Sequence, residues 1–439
     1  MSDKKSSHKK LFLNASWLFG GKTASGIFNA LLVIVLARVL GVTDYGLLVL
    51  VISYIDILNQ FFDLRVWETA TKYIGTYWEN GELDKTRSMI KLSYLLDVSS
   101  GVLAFIIAIV TAKLISVYIL KSPEAYVYIW IYSLSLFIST ANSTSNAILR
   151  VFDKFKTIAF ITSIQNLIKL ILVAAVLFRG YGIKAVLIVF VVISFIGFFI
   201  RIWAVMKILN EKGLGGFWNS SIRLISDQWR GIAWFLGNTS FMATIRIGND
   251  RLIGSMVLGY FAGKEAVGFY DVASSVAKFI KRIVDPLNEA IYPELVKISS
   301  NNSVSEIRSI VSYSTRNLMK IIIPVSVLAI IFADVVVGLL FGEQYLPASN
   351  ALRIIAAAAV LARVTFWINS VLLALGRPGL RTALGLATTF IYLLLLFLLV
   401  PSYSYIGAAI ALLGFSVFKS LLAYYLYQES LKTMERQRA

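Results

Sequence analysis

The sequence contains no cysteine and one histidine, His8, placed in a polar N-terminal tail. Without cysteine there are no disulfides, thiolate nucleophiles, Fe–S clusters or Cys-ligated zinc sites. One histidine in a tail leaves no imidazole base and no His-rich metal site. Charge is also scarce: 15% of the 439 residues are ionisable acids or bases, against about 25% in an ordinary soluble domain. Apolar residues instead make up 58% of the chain. At about 20 residues per bilayer-crossing helix they supply about twelve spans and leave no room for a separate catalytic domain. A soluble fold is excluded, and the expected class is an all-α integral membrane protein.

Breaking the apolar runs at charged and Gly/Pro clusters places twelve helices near 14–40, 45–67, 88–111, 124–148, 157–178, 183–206, 231–258, 266–293, 316–341, 348–374, 382–400 and 405–428. Pro286, Pro293 and Pro324 are the expected bend points. Lys9 and Lys10 lead into a long apolar region with no short h-region and no small-residue cleavage site, so the first span is expected to stay in the mature protein. Loops on the N-terminal side of the membrane carry 22 Lys and Arg, and the opposite loops only Lys113, Lys121, Arg179, Lys184 and Lys264. The positive-inside rule therefore puts both termini in the cytoplasm of a multi-pass cell-membrane protein. The opposite loops are all short, which disfavours an enzyme such as a glycan polymerase or ligase working outside the cell.

An internal repeat runs through the chain. The turn Gly41-Val-Thr-Asp-Tyr-Gly46 returns 222 residues later as Gly263-Lys-Glu-Ala-Val-Gly268. Thr157 after Lys154 and Lys156 matches Thr382 after Arg377 and Arg381, and Tyr181-Gly-Ile-Lys-Ala185 matches Tyr405-Ile-Gly-Ala-Ala409 at a similar separation. Landmarks at one spacing predict two pseudo-symmetric six-helix bundles, an N-terminal lobe at 1–220 and a C-terminal lobe at 221–439. This is the parallel-repeat arrangement of many transporters, whose substrate site lies where the lobes meet. The basic stretch 207–230 is the expected cytoplasmic linker.

Fifteen Lys and Arg fall within the spans, a surplus over the carboxylates there. Charges inside a bilayer are costly and normally face a bundle interior or a wet cavity. Arg38, Lys91, Arg201, Lys320, Arg353 and Lys419 lie near span boundaries and are read as snorkelling to the interface. Lys22, Lys169, Arg246, Arg251, Lys278, Lys281, Arg282 and Arg363 lie deeper and are read as lining a cavity. Helical spacing agrees: Asp56, Asn59, Gln60 and Asp63 form one stripe, and Thr162, Gln165, Asn166 and Lys169 form another. Surplus cations suit a phosphate-bearing substrate, because Arg offers a fork and Lys a point charge to phosphate oxygens. Lys22, Arg246, Arg251, Lys278, Lys281 and Arg363 are the expected phosphate contacts. Asp56, Asp63, Asp97 and Asp250 are the candidates for carrying Na⁺ or a proton in a coupling step, or equally for serving as passive counter-ions. Gly20-Gly-Lys22-Thr23 has the tail of a phosphate-binding loop, but Ser16 stands where its first glycine belongs.

Leu36-Ala-Arg-Val-Leu-Gly41 followed by Asp44-Tyr-Gly46 resembles the opening of the bacterial and archaeal polysaccharide transporters, the flippases of lipid-linked oligosaccharides. Ile247-Gly-Asn-Asp250-Arg251, Ile291-Tyr-Pro293 and Leu375-Gly-Arg377-Pro resemble later landmarks of that family. The resemblance extends over nearly the whole chain. It implies membership of the superfamily of multidrug, oligosaccharidyl-lipid and polysaccharide exporters, with a central cationic cavity for a pyrophosphate-sugar headgroup and alternating access. The expected function is thus a monomeric flippase without catalytic residues, cofactor or metal site. Its partners would be a lipid-linked oligosaccharide, membrane lipids and other polysaccharide-assembly proteins, with no nucleic acid. A drug or cation antiporter of the same fold is the alternative, which an acidic cavity would favour.

Overall fold

The structure is a computed structural model describing residues 2–247, 251–282, 285–300 and 303–438. Side-chain surroundings are described for 20–241, 252–278, 291–299 apart from Pro293, and 303–436. The described residues contain no β-strand. In chain order the α-helices are α1 (Ser2–Phe62), α2 (Val66–Glu79), α3 (Leu83–Tyr118), α4 (Tyr126–Val151), α5 (Phe155–Phe178), α6 (Ile183–Glu211), α7 (Trp229–Ile247), α8 (Arg251–Arg282), α9 (Asp285–Ser300), α10 (Val304–Ile331), α11 (Ala333–Phe341), α12 (Ala348–Val364), α13 (Ile368–Ala374) and α14 (Pro378–Arg438). Among the described residues, seven stretches are long and apolar enough to cross a membrane. The chain is a multi-pass membrane protein.

Its long helices are broken where the backbone leaves helical geometry. Gly41 in α1 has φ 74° and ψ 174°, and Gly263 in α8 has φ 82° and ψ −179°. These are the same conformation, in a region essentially reserved for glycine, at the two turns that the sequence pairs as landmarks. The third break, in α14, is at Ser404. Among the prolines expected to bend helices, Pro324 lies inside α10, which continues through it. Pro286 sits in the first turn of α9, where its missing N–H leaves no helical bond unmade. Pro293 lies within α9, its side chain outside the described residues.

The chain forms two compact units: residues 1–40 with 51–247, and residues 41–50 with 248–439. In the first, α3 lies against α4 through a stripe of small residues. Ala104, Ala108 and Ala112 are fully buried, and a Cβ on Gly101 would stand 2.5 Å from Thr140 Oγ1 and 3.1 Å from the Leu136 carbonyl oxygen. Small side chains let backbones approach, the usual means of helix association where lipid removes the hydrophobic drive. The stretch 207–230 is folded onto α3. Leu214, Phe217 and Ile225 are buried in one cluster with Ile74, Tyr77 and Met89. Arg87 donates to the Gly213 carbonyl at 2.6 Å, and Lys91 to that of Ser220 at 2.9 Å. Lys91, expected to snorkel, thus fastens this stretch instead.

In the second unit α9, α10, α12, α13 and α14 share a core that contains Leu295, Ile307, Leu318, Trp367, Leu372 and Tyr427. The Trp367 indole N–H donates to Thr315 Oγ1 at 3.0 Å, and its ring meets Tyr427 edge-on at 4.6 Å. Large apolar side chains stand exposed on the outer faces of both units, among them Val110, Phe178, Trp203, Phe390 and Leu421. Lipid is the solvent that such faces require.

Candidate transport site

In the first unit the polar stripes expected from helical spacing come together on α1, α4, α5 and α6. Asp56, half-buried on α1, lies within electrostatic range of Lys169 on α5 and of Tyr132 on α4. The Lys169 ammonium stands over the Phe190 ring of α6 at 5.4 Å, and that ring is 6.2 Å from Tyr132. Asp56 is therefore matched by a cation. Asp97 on α3 is held differently: it is 1% exposed, and its Oδ2 accepts the backbone N–H of Thr144 at 2.9 Å. Asp63 lies within electrostatic range of Asp97, and its Oδ1 accepts the Arg65 N–H at 3.0 Å. The side-chain oxygens of Asn59, Asn142 and Asn146 are buried without a hydrogen-bond partner in the protein. The coupling candidates of this unit thus differ in surroundings: Asp56 lies within range of Lys169, Asp63 within range of Arg65 and Glu68, and Asp97 is buried against the Thr144 amide. Asp250 lies outside the described residues.

Lys22 is exposed on α1, at the place where that helix rests on α5. A Cβ on the adjacent Gly21 would stand 2.6 Å from Ala159 Cβ, and Ser163 donates to the Gly21 carbonyl at 3.3 Å. Arg201, read from the sequence as snorkelling, is instead 7% exposed. Its guanidinium donates to the Gly197 carbonyl at 3.4 Å and to Thr162 Oγ1 at 3.3 Å. The sequence signal was available: Gly197 stands four residues earlier on the same face of α6, and its missing side chain lets α5 come close.

In the second unit Lys278 is half-buried on α8, and Arg363 is half-buried in the last turn of α12. The side chains of Arg246, Arg251 and Lys281 lie outside the described residues. Lys419 on α14, also read as snorkelling, lies within electrostatic range of Arg363 and 5.9 Å from the Phe415 ring centre. Ser420 ties the two helices together by donating to the Leu361 carbonyl at 2.9 Å. Arg353, also read as snorkelling, is bonded to Asp334 at 2.6 Å. Asp334 itself was expected within a span, but α10 ends at Ile331 and Asp334 occupies the exposed first turn of α11. The Arg353 guanidinium holds its carboxyl below the usual carboxylate range. Just before α3, Lys85 does the same for Glu82.

A helical membrane protein with this arrangement has the fold of the transporters of the MOP superfamily. A multidrug-resistance MATE family transporter of that superfamily, in its inward-facing conformation, superposes with a TM-score of 0.77 over 94% of this chain and 96% of that one, at 13% identity. The lipid II flippase MurJ, in an inward closed conformation, gives 0.71 over 95% and 89%, at 14% identity. The family model described as "Polysaccharide biosynthesis protein" matches residues 35–350, and the chain belongs to that family. The probable low-salt glycan biosynthesis flippase Agl15 of Haloferax volcanii is 31% identical over 171 residues, 39% of this chain and 36% of that protein. The inner membrane protein YghQ of Escherichia coli (strain K12) is 22% identical over 77% of this chain and 95% of its own length. The match thus spans about a third of the first relative and nearly all of the second.

Proposed function

We propose that the protein is a flippase carrying a polyprenyl-phosphate-linked oligosaccharide from the cytoplasmic to the outer leaflet of the cell membrane. The observation that carries this reading is the family match over residues 35–350, and the cations among the described residues of the helices, Lys169, Arg201, Lys278, Arg363 and Lys419, agree with an anionic headgroup. The family and the name of the Haloferax relative support the same substrate class.

In this reading the breaks at Gly41, Gly263 and Ser404 separate successive crossings. The number of crossings stays at the twelve that the sequence predicts. The lobes 1–220 and 221–439 rock about a central cationic cavity, and both termini are cytoplasmic. Lys22, Arg246, Arg251, Lys278, Lys281 and Arg363 attract the phosphates. Asp63 and Asp97, and in the other half Asp250, carry a proton or Na⁺, while Asp56 balances Lys169.

The test is leaflet exchange of a fluorescent lipid-linked oligosaccharide in proteoliposomes, with and without Na⁺ and proton gradients. Glycolipid movement is expected, and it should stop in the single variants Lys22→Gln, Arg246→Gln, Arg251→Gln and Lys281→Gln without loss of membrane insertion. Normal transport in all four refutes the cationic route. Efflux of a cationic drug in place of glycolipid movement would establish the antiporter reading.

A further inference from the structure

The stretch between α6 and α7 is folded onto the first unit but covered on one face only. Gly213 and Gly216 take left-handed backbone, with φ 70° and 71°, and turn the chain from the end of α6 back onto α3. Two short 3₁₀ helices follow, Phe217–Asn219 and Ile222–Gln228. Phe217 and Ile225 are buried against the unit. Ser88 donates to the Ser221 carbonyl at 2.9 Å, and the Tyr77 hydroxyl to Gln228 Oε1 at 2.9 Å. The side chains left outside are Trp218, Arg223, Leu224, Trp229 and Arg230. Trp218 and Leu224 are each 46% exposed and Trp229 is 43% exposed. Among the described residues neither Arg223 nor Arg230 has an ion-pair partner, while Asp227 between them lies 3.8 Å from Lys85.

Contacts along α3 give this stretch its depth. It meets Lys91 through the Ser220 carbonyl and Tyr94 through Phe217, the two rings 5.9 Å apart and stacked, then returns to Lys85 at Asp227. At 1.5 Å per residue, Tyr94 stands about 16 Å along α3 from Leu83, where that helix begins. This is nearly two turns inside the span that the sequence places at 88–111. Trp218, 6.1 Å from the Tyr94 ring, is thus held at the edge of the apolar layer, at the end of α3 that the loop charges assign to the cytoplasm. Indole rings settle at that level of a bilayer, and arginine stems lie along it with their guanidinium groups among the headgroups. Cations with no carboxylate of their own complete a surface complementary to negatively charged lipid.

We propose that residues 217–230 form a binding site for anionic phospholipid in the cytoplasmic leaflet. Arg223 and Arg230 attract the headgroup, and Trp218, Leu224 and Trp229 seat at the acyl boundary. A zwitterionic lipid brings its own ammonium group and gains less from the two arginines. The site is distinct from the cations assigned to a transported headgroup, and it stands whether or not the protein is a flippase.

Native mass spectrometry of the full chain in detergent, titrated with phosphatidylglycerol or with phosphatidylcholine of the same acyl chains, tests the preference. Phosphatidylglycerol should be retained more tightly, and Arg223→Gln/Arg230→Gln should weaken its retention about fivefold for each arginine removed, with phosphatidylcholine unaffected. The control Lys154→Gln/Lys156→Gln removes the same charge from exposed positions beside α5 and should change nothing. No preference in the parent, or an equal loss in the control, overturns the site. So does displacement of phosphatidylglycerol by an equal concentration of polyprenyl pyrophosphate, which would assign the arginines to the transported lipid.

Depth is the second measurement, made simple by a sequence without cysteine. A spin label on Leu224→Cys in proteoliposomes containing phosphatidylglycerol should be reached by oxygen more readily than by an aqueous nickel complex. A label on Glu211→Cys, at the exposed end of α6, should show the reverse. A label at 224 as open to nickel as the one at 211 overturns the seating of this segment in the leaflet.

Discussion

A guanidinium removed from water needs an anion or several neutral oxygens, and Arg201 has the Gly197 carbonyl and the Thr162 hydroxyl. Its Nε has no partner in the protein. Lys419 presents the complementary case, a cation whose described electrostatic neighbour is a second cation, Arg363. Lys419→Gln should weaken binding of inorganic pyrophosphate to the purified protein by on the order of tenfold, about 1.4 kcal/mol, measured by titration calorimetry. Unchanged affinity would remove Lys419 from the headgroup site. Asp334 supplies a test through pH. Arg353 lowers its carboxyl below the ordinary value in the folded protein, so the stabilisation is complete above the unfolded value and lost as pH falls through the folded one. Melting temperature should therefore decline across the acid range below the usual carboxylate value, and Asp334→Asn should flatten that part of the decline.

At the scale of elements, the contact of α3 with α4 depends on small residues, whereas the core of the second unit is built on bulky ones. Gly101, Ala104, Ala108 and Ala112 recur along one face of α3, and the stripe seats α3 on α4. Gly101→Leu would drive its side chain toward the Leu136 carbonyl and Thr140. Overpacking of this kind costs about 1–3 kcal/mol, and the measurable consequence is a lower midpoint in thermal or denaturant unfolding. A midpoint equal to that of the parent would mean that α3 and α4 can shift apart freely. The segment 207–230 shows the limit of reading elements from composition. Its charges and glycines describe a linker, yet Leu214, Phe217 and Ile225 are buried in it. Three apolar residues spread over a dozen positions have no periodicity of their own, and only the surface of α3 gives them a face.

At the scale of the molecule, the break glycines join sequence and fold. Gly41 and Gly263 were legible as turn glycines, and they share one backbone conformation. The membrane class, the helical architecture and the breaks at Gly41 and Gly263 were legible in the sequence alone, because hydrophobicity and glycine's conformational freedom act locally, whereas Pro324 leaves α10 unbroken and the break at Ser404 falls on a residue that carries no such signal. Tertiary structure decided which groups come within range of one another: Lys169 and Asp56, the Asp97 carboxylate and the Thr144 amide, Lys419 and Arg363. It also decided that residues 41–50 seat in the second unit. These partners stand tens to hundreds of positions apart, and helical spacing specifies the face a side chain occupies but not the helix that face will meet.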